Sequence, residues 1–253
     1  MVLTAMAESA GWAALPGRFG RFKRCIQSLI VLSSIVLLSA CATVVEQHVE
    51  RAILEALPTA LGPAQRYEAH VSGVNQNATH FDQVRATGWR VQRIGTPVLD
   101  RVEADFQDVM VDRQAKQLTS IGQAQVIIRL QADDLAAYLQ QQSWIEQPTV
   151  RFTDESQIVV RARLKLPVLG LVTSQDAEFV GRLIPNGSRL LMRVESVRYG
   201  DRAAPLVARE MLDQAINPVI DLARYATPSR IDAVRVEVDA LIMTASGSQL
   251  QIR

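Results

Sequence analysis

Hydrophobic and polar residues alternate along much of the second half of the chain, which predicts β-strands with one apolar face. The clearest run spans residues 158–166, where the polar face carries Arg161, Arg163 and Lys165. The apolar face of the same run consists of Ile158, Val160, Ala162, Leu164 and Leu166. Such alternation is typical of antiparallel sheets that cover a core with one side and meet solvent with the other.

Similar runs of period two predict further strands before and after this segment. They span Tyr67–Val74, Val84–Ile94, Val102–Phe106, Ala124–Leu130, Thr149–Thr153, Ala177–Ile184, Arg189–Tyr199 and Arg230–Val238. The Asn186-Gly187 pair between two of them predicts a tight hairpin, because both residue types tolerate positive φ.

Three segments have helical periodicity instead. Thr43–Leu61 has apolar residues at spacings of three and four and is followed by Gly62-Pro63, which ends a helix. A second helix is predicted from Asp133 to Gln142, with an aspartate as its N-cap. A third is predicted to begin near Ala203 and to be kinked at Asn217-Pro218. We therefore expect residues 41–253 to form one α+β domain.

The first forty residues are expected to be an export signal. Basic residues from Arg18 to Arg24 precede an uncharged apolar stretch, Ile26–Leu38, which is shorter than the roughly 20 residues of a membrane-spanning helix. Leu38-Ser39-Ala40-Cys41 then resembles the lipobox of bacterial lipoproteins. That resemblance implies cleavage between Ala40 and Cys41, a diacylglycerol on the Cys41 thiol and a further acyl group, such as palmitate, on the new amino terminus. The alternative is a short N-terminal anchor with an incidental cysteine.

The charge balance excludes two classes of partner. The whole chain has a formal charge of +1, and without residues 1–40 it has 23 basic and 25 acidic residues, or about −2. The sequence contains no basic stripe of the kind that indicates nucleic-acid binding, and no polybasic segment follows the signal. We therefore expect membrane attachment through the lipid on Cys41, at the extracytoplasmic face of the cell membrane or the outer membrane.

The sequence offers no constellation for catalysis. His48, His70 and His80 lack partners at metal-ligand spacing, so neither a metal nor another cofactor is expected. The acidic group Asp105, Asp108 and Asp112 falls on a predicted strand and is interpreted as a solvated strand edge. Nucleophile-elbow and phosphate-loop motifs are absent. We expect a protein that is not an enzyme.

The apolar strand faces are aliphatic and contain few rings, since residues 41–253 include only ten Phe, Trp and Tyr. A smooth aliphatic face suits acyl chains, although an ordinary aliphatic core has the same composition. If the face forms a groove for lipid, the candidate lining residues are Val126, Ile128, Leu130, Ile158, Val160, Ala162, Leu164, Leu166, Leu190, Met192 and Val194.

Several stretches in a fixed order resemble a known family. They are Phe106-Gln107-Asp108-Val109-Met110-Val111-Asp112, Ala132-Asp133-Asp134-Leu135-Ala136-Ala137-Tyr138-Leu139, Leu166-Pro167-Val168-Leu169-Gly170-Leu171, Ala215-Ile216-Asn217-Pro218-Val219-Ile220-Asp221-Leu222 and Pro228-Ser229-Arg230-Ile231. This series resembles the LmeA-like family of bacterial phospholipid-binding proteins. The resemblance implies a tubular lipid-binding fold, similar to that of the bactericidal/permeability-increasing proteins, in which a curved antiparallel β-sheet wraps a long helix.

Two functions remain open at this point. The first is an envelope lipoprotein that binds a phospholipid or another acyl or prenyl lipid in an aliphatic groove, for lipid transport or envelope maintenance. The alternative is a structural or assembly lipoprotein with a dry core and an envelope protein as its partner. The state of the interior, an apolar tunnel or a filled core, distinguishes them.

Overall fold

The computed structural model describes residues 50–75, 79–112, 117–153, 157–168, 171–204, 206–225, 230–237 and 239–251. The chain divides into two compact units, Met1–Val45 and Glu46–Arg253, and the described residues all belong to the second. The predicted signal peptide, the cleavage site at Ala40 and the lipid-attachment residue Cys41 lie outside the described residues.

The first sheet contains six antiparallel strands in the order β1-β2-β3-β4-β12-β11. Its first four strands form a meander, and the last two strands of the chain return to pair with β4. The bounds are β1 Arg66–Val74, β2 His80–Val91, β3 Leu99–Asp112, β4 Gln117–Gln131, β11 Arg230–Glu237 and β12 Ala240–Gln251.

The second sheet has the order β10-β8-β7-β6-β5, and the two-residue strand β9 pairs with β8. All of its pairs are antiparallel. Its strands are β5 Ile145–Thr153, β6 Gln157–Val168, β7 Leu171–Asn186, β8 Arg189–Tyr199, β9 Arg202–Ala203 and β10 Ile220–Asp221. As predicted, Gly187 has a positive φ in the hairpin between β7 and β8.

Helices are short in the described residues. The described part of α1 covers residues 50–61, α2 covers Ala132–Leu139 between the two sheets in sequence, and α3 covers Leu206–Ile216. A 3-10 turn, Leu222–Arg224, follows β10. The apolar face of α1 is buried, whereas Arg51, Glu55, Pro58 and Thr59 are exposed, so this helix covers the core with one side.

The buried positions of the first sheet change phase along a line that crosses three strands. Buried positions normally recur every second residue in a strand, but here Phe81 and Val84, Phe106 and Val109, and Ile121 and Ala124 are three apart. Register places these three phase changes side by side, because Val84 pairs with Phe106, which also pairs with Ala124. The register is continuous across the phase changes, with Val109 opposite both Phe81 and Ile121. All three strands therefore turn their side chains to the other face at the same level, which is consistent with the curvature that the family resemblance implies.

The strands β3 and β4 approach each other closely at this phase change. Asp108 has a φ of 53° in β3, and a Cβ added to the neighbouring Gly122 in β4 would lie 2.7 Å from the Asp108 Cβ. Only glycine at position 122 leaves room for the Asp108 side chain. Asp105 and Asp108 thus lie on a strand between β2 and β4, so the predicted strand edge is wrong.

The broad fold prediction is confirmed, since antiparallel strands dominate the described residues, with few helices. Two local predictions were wrong. The helix α2 begins after Gln131 with no side-chain cap, because Asp134 bonds to Arg90 instead. The helix α3 ends at Ile216 and is not kinked at Asn217-Pro218, where the Asn217 side chain bonds to the Met192 backbone. The long wrapped helix is not shown.

Candidate functional site

Both sheets contribute to one apolar core together with α1, α2 and the segment after β10. Ten of the eleven candidate groove residues lie in it, each no more than 6% exposed. They are Val126, Ile128, Leu130, Ile158, Val160, Ala162, Leu164, Leu190, Met192 and Val194. The eleventh, Leu166, lies on β6, and its side chain is not among those described. Burial of this kind is expected equally of a closed groove and of an ordinary core.

The described core has a small apolar cavity, of about 20 Å³. Its wall brings together the end of α1, two strands of the first sheet and the 3-10 turn that follows the second sheet. The lining residues are Leu61, Leu99, Val102, Val126, Ile128, Leu222 and Tyr225. A void of this size has room for about one water molecule. A phospholipid acyl chain therefore requires the core to open around it.

A polar group without a partner lies in this otherwise apolar wall. The Tyr225 side chain is buried, and its hydroxyl has no hydrogen-bond partner among the described residues. Burial raises the pKa of Tyr225; the nearby Thr96 hydroxyl acts in the opposite direction but forms no hydrogen bond of normal geometry with it. Buried polar groups are nearly always paired, so an unpaired hydroxyl at a cavity is a point where a ligand oxygen gains a hydrogen bond.

Arg93 connects three elements at the same end of the cavity. Its Nη2 donates to the carbonyl oxygen of Thr59 in the last turn of α1, at 2.6 Å, and its Nη1 donates to the carbonyl oxygen of Arg224. Its guanidinium carbon lies 5.5 Å from the centre of the Tyr225 ring. The last carbonyls of a helix lack partners within the helix. Arg93 supplies one, and thereby fastens the end of α1 to the 3-10 turn.

Two aromatic and loop contacts complete this end. The Tyr67 hydroxyl donates to the Gly62 carbonyl oxygen at 2.6 Å, and burial raises the pKa of Tyr67. Nη1 of Arg224 donates to the Gly95 carbonyl oxygen at 3.0 Å. The loop between β2 and β3 is thus tied to both α1 and the 3-10 turn.

A separate charged network joins the first sheet to α2. Arg90 forms a bidentate pair with Asp134, at 2.6 Å for both bonds, and lies 3.8 Å from Asp100. Asp100 also accepts from Gln131 at 3.0 Å. This hydrogen-bonded pairing raises the pKa of Arg90. Because the carboxylate of Asp134 is almost fully covered, the network positions α2 and is not open to a ligand.

Larger depressions on the surface are polar. One of about 440 Å³ is lined by residues such as Arg161, Arg163, Asp176 and Glu178, and one of about 510 Å³ lies by Gln123, Gln125 and Arg230. In the first, the charges neutralise each other through Arg161–Glu178 and Arg163–Asp176 pairs. Neither depression has the apolar lining that acyl chains require.

The two described histidines each lie near one carboxylate. His70 contacts Glu50 at 3.2 Å and His80 lies 3.9 Å from Asp108, while His48 is outside the described residues. In the part of the chain that the structure describes, no group of three or more metal-ligating side chains occurs. The described helices also include none that is long and apolar enough to cross a membrane.

Sequence reasoning identified only part of the cavity wall. Val126 and Ile128 were among the candidates, but Leu99, Val102, Leu222 and Tyr225 were not. Leu222 and Tyr225 belong to a short irregular segment without periodicity, where the only sequence signal was an aromatic residue in a chain poor in rings.

Comparison with known proteins identifies a family. Residues 38–246 match the LmeA-like phospholipid-binding family, and the chain belongs to that family. Curated proteins gave no match, and solved structures gave none either. Family membership suggests lipid binding and identifies no individual contact residue.

Proposed function

We propose that this chain binds a phospholipid or a related acyl or prenyl lipid, with the lipid tails between the sheets and α1. Membership of a phospholipid-binding family carries the proposal. The small cavity supports it, because its apolar wall includes Tyr225, whose hydroxyl has no partner among the described residues. Acyl burial contributes roughly 0.8 kcal/mol per CH₂, so affinity depends on chain length more than on polar contacts.

Loading of a lipid requires a conformational change, and the contacts around α1 indicate that the end of this helix must move. The helix closes the cavity with Leu61, and Arg93 fastens its last turn to the 3-10 turn. Displacement of this end of α1 exposes Val126 and Ile128 first, and the deeper residues of β6 and β8 only as the opening widens. In this proposal the described state is the closed one.

Within the cell, we propose a lipoprotein of the envelope, held by acyl chains on Cys41 and acting in lipid transport or envelope maintenance without catalysis. The export signal predicted for residues 1–40 and the resemblance of residues 38–41 to a lipobox support this location. A short connection from Cys41 to α1 keeps the site close to the membrane that supplies its lipid.

A second candidate is a structural or assembly lipoprotein with a dry core. The specific observation in its favour is the size of the cavity, since about 20 Å³ leaves the described core almost filled. This alternative predicts that no treatment loads the interior with lipid.

The test is native mass spectrometry of the full chain, released from detergent micelles, with variants at Val126. Val126→Phe fills the cavity and is expected to lower retained lipid at least fivefold, whereas Val126→Ala enlarges it and raises the retained lipid. Ile127→Phe is the matched control, because Ile127 is the adjacent residue and is 45% exposed on the other face. Circular dichroism verifies folding of each variant. Lipid retention that is absent, or indifferent to all three changes, favours the dry core.

A further inference from the structure

Two arginines at the polar end of the cavity differ from most arginines of the strands. Arg90, Arg129, Arg161, Arg163, Arg182 and Arg189 each pair with a carboxylate. Arg93 and Arg224 donate instead to backbone carbonyls, and no carboxylate of the described residues lies within salt-bridge distance of either. Two positive charges without a carboxylate partner among the described residues therefore lie beside Tyr225 at one end of an apolar cavity.

The shape of a guanidinium determines which anion suits this place. Arginine presents planar, forked donors that match the oxygens of phosphate and carboxylate. Arg93 and Arg224 are coupled, since the side chain of Arg93 reaches the backbone of Arg224 and the side chain of Arg224 reaches Gly95, two residues after Arg93. Both guanidiniums therefore contact the junction between the β2–β3 loop and the 3-10 turn, where we expect one group with several anionic oxygens to meet both.

Tyr225 adds a donor between these charges and the apolar wall. It is only 8% exposed, lines the cavity, lies under the Arg93 guanidinium and has an unpaired hydroxyl among the described residues. A glycerophospholipid has the same order of groups, with a phosphate, then ester carbonyls, then acyl chains. The order of charge, hydroxyl donor and aliphatic wall in the protein matches it.

We propose that Arg93 and Arg224 bind the phosphate of the lipid headgroup and that Tyr225 donates a hydrogen bond to an ester carbonyl oxygen of the same lipid. This rests on the proposed lipid-binding function and assigns its headgroup site. A phosphate that takes the Arg93 donors also competes with the Thr59 and Arg224 carbonyls. Headgroup binding therefore loosens the end of α1 and opens the cavity to the acyl chains.

The experiment compares two lipids with identical chains. The full chain in detergent micelles is titrated with fluorescent phosphatidic acid and with the corresponding diacylglycerol, which lacks the phosphate. Arg93→Gln and Arg224→Gln are each expected to lower the affinity for phosphatidic acid at least tenfold relative to the affinity for diacylglycerol, because diacylglycerol offers the arginines no phosphate. Arg93→Lys, which keeps the charge, is expected to recover part of the preference. Arg85→Gln is the control, because Arg85 pairs with Asp105 on the exposed side of the first sheet.

Phosphatidic acid and diacylglycerol are expected to respond alike to a change at Tyr225. Tyr225→Phe removes a donor to an ester carbonyl that both lipids carry, so both are expected to lose three- to fivefold. Inorganic phosphate alone is expected to compete only weakly, because it gains nothing from the apolar wall. Full competition by inorganic phosphate at concentrations equal to those of the lipid would assign the site to free phosphate and overturn the proposal.

Two further results separate this site from the proposed function. If the arginine variants weaken both lipids equally, their role is structural, and the headgroup assignment is wrong while lipid binding stands. If the wild-type chain binds neither lipid, the proposed function fails and the headgroup site fails with it.

Discussion

The two sheets share one core but are built differently. The first sheet changes phase at the same level in three neighbouring strands, at Phe81–Val84, Phe106–Val109 and Ile121–Ala124, and the register between them stays continuous there. In the second sheet, β6 keeps one phase from Ile158 to Leu164, and register shifts lie in its neighbours, at Glu146–Thr149 of β5 and Val180–Gly181 of β7. The charges of the two sheets differ too: the strands of the first carry seven basic and nine acidic residues, and those of the second carry nine basic and five acidic. The cavity lies against the first sheet, on Val102 and Val126.

This difference indicates where the interior can change its volume. A regular strand presents one even row of side chains, which fills space efficiently against its neighbours. The cavity lies beside Val102 and Val126 of the first sheet, and Leu61 at the end of α1 closes it. We therefore expect the first sheet to form the adaptable wall of the lipid site and the second sheet to form the fixed one.

The greatest loss of stability is expected at the rings that both sheets bury, and it tests whether the sheets fold as one unit. Phe106 in the first sheet and Phe179 in the second are both fully buried in the same core. Phe106→Ala and Phe179→Ala are each expected to lower the free energy of unfolding by about 3–5 kcal/mol. Denaturant unfolding followed by fluorescence and by circular dichroism should give one coincident transition. Two separate transitions in either variant would show that the sheets unfold independently.

The next effect concerns the link from the first sheet to α2. Arg90→Ala leaves the covered carboxylate of Asp134 without its bidentate partner, which is expected to destabilise the fold by about 2–4 kcal/mol. Arg85→Ala breaks an exposed pair with Asp105 and should change stability by less than about 1 kcal/mol. Denaturant midpoints of both variants provide the comparison. Equal losses would mean that the Arg90 pair contributes no more than a surface pair.

The close approach of β3 and β4 at the phase change is tested by Gly122→Ala. A Cβ at this position meets the Asp108 Cβ at 2.7 Å, so we expect a loss of about 1–3 kcal/mol. Asp108→Gly removes the obstructing side chain and suits the positive φ of 53°, and the double variant should recover most of the loss. Gly187→Ala is the control. Gly187 has a positive φ, so alanine is strained there, but a Cβ at this position meets nothing within 4 Å. Asp108→Gly should therefore not rescue it. Absence of rescue at Gly122 would contradict the close approach.

The smallest expected change in stability comes from one added methylene group, and its sign is opposite in the two sheets. Val126→Ile adds one methylene group beside the cavity and is expected to stabilise the protein by about 0.5–1 kcal/mol. Val160→Ile adds the same group to β6, where Val160 is fully buried and does not line the cavity, and is expected to destabilise the protein by about 1–2 kcal/mol. Differential scanning calorimetry measures both. A stabilising Val160→Ile would show that the second sheet has free volume as well.

Alternation predicted most strands because a sheet with one buried face imposes period two on its sequence. It predicted Arg189–Tyr199 at its observed bounds, but it missed Ala240–Gln251, where Leu241, Ile242 and Met243 are all buried and no alternation remains. It also shortened β3 to Val102–Phe106, because the phase changes next to both ends interrupt the pattern.

The polar end of the candidate site could not be predicted from spacing. Arg93, Arg224 and Tyr225 come from segments about 130 residues apart and meet only through the loop between β2 and β3 and the 3-10 turn. Local spacing was also insufficient for Asp134. The sequence has a helix-capping pattern there, but the Asp134 carboxylate pairs with Arg90, which is distant in sequence.

Occupation of the interior between the sheets and α1 by lipid tails can be measured by photo-crosslinking. The full chain is incubated in vesicles containing a phospholipid with a diazirine at the end of one acyl chain, irradiated and mapped by peptide mass spectrometry. We expect crosslinks on the cavity-facing residues of α1, β3 and β4, and their loss in Val126→Phe but not in Ile127→Phe. Crosslinks confined to exposed positions, or unchanged in Val126→Phe, would contradict lipid binding in this interior.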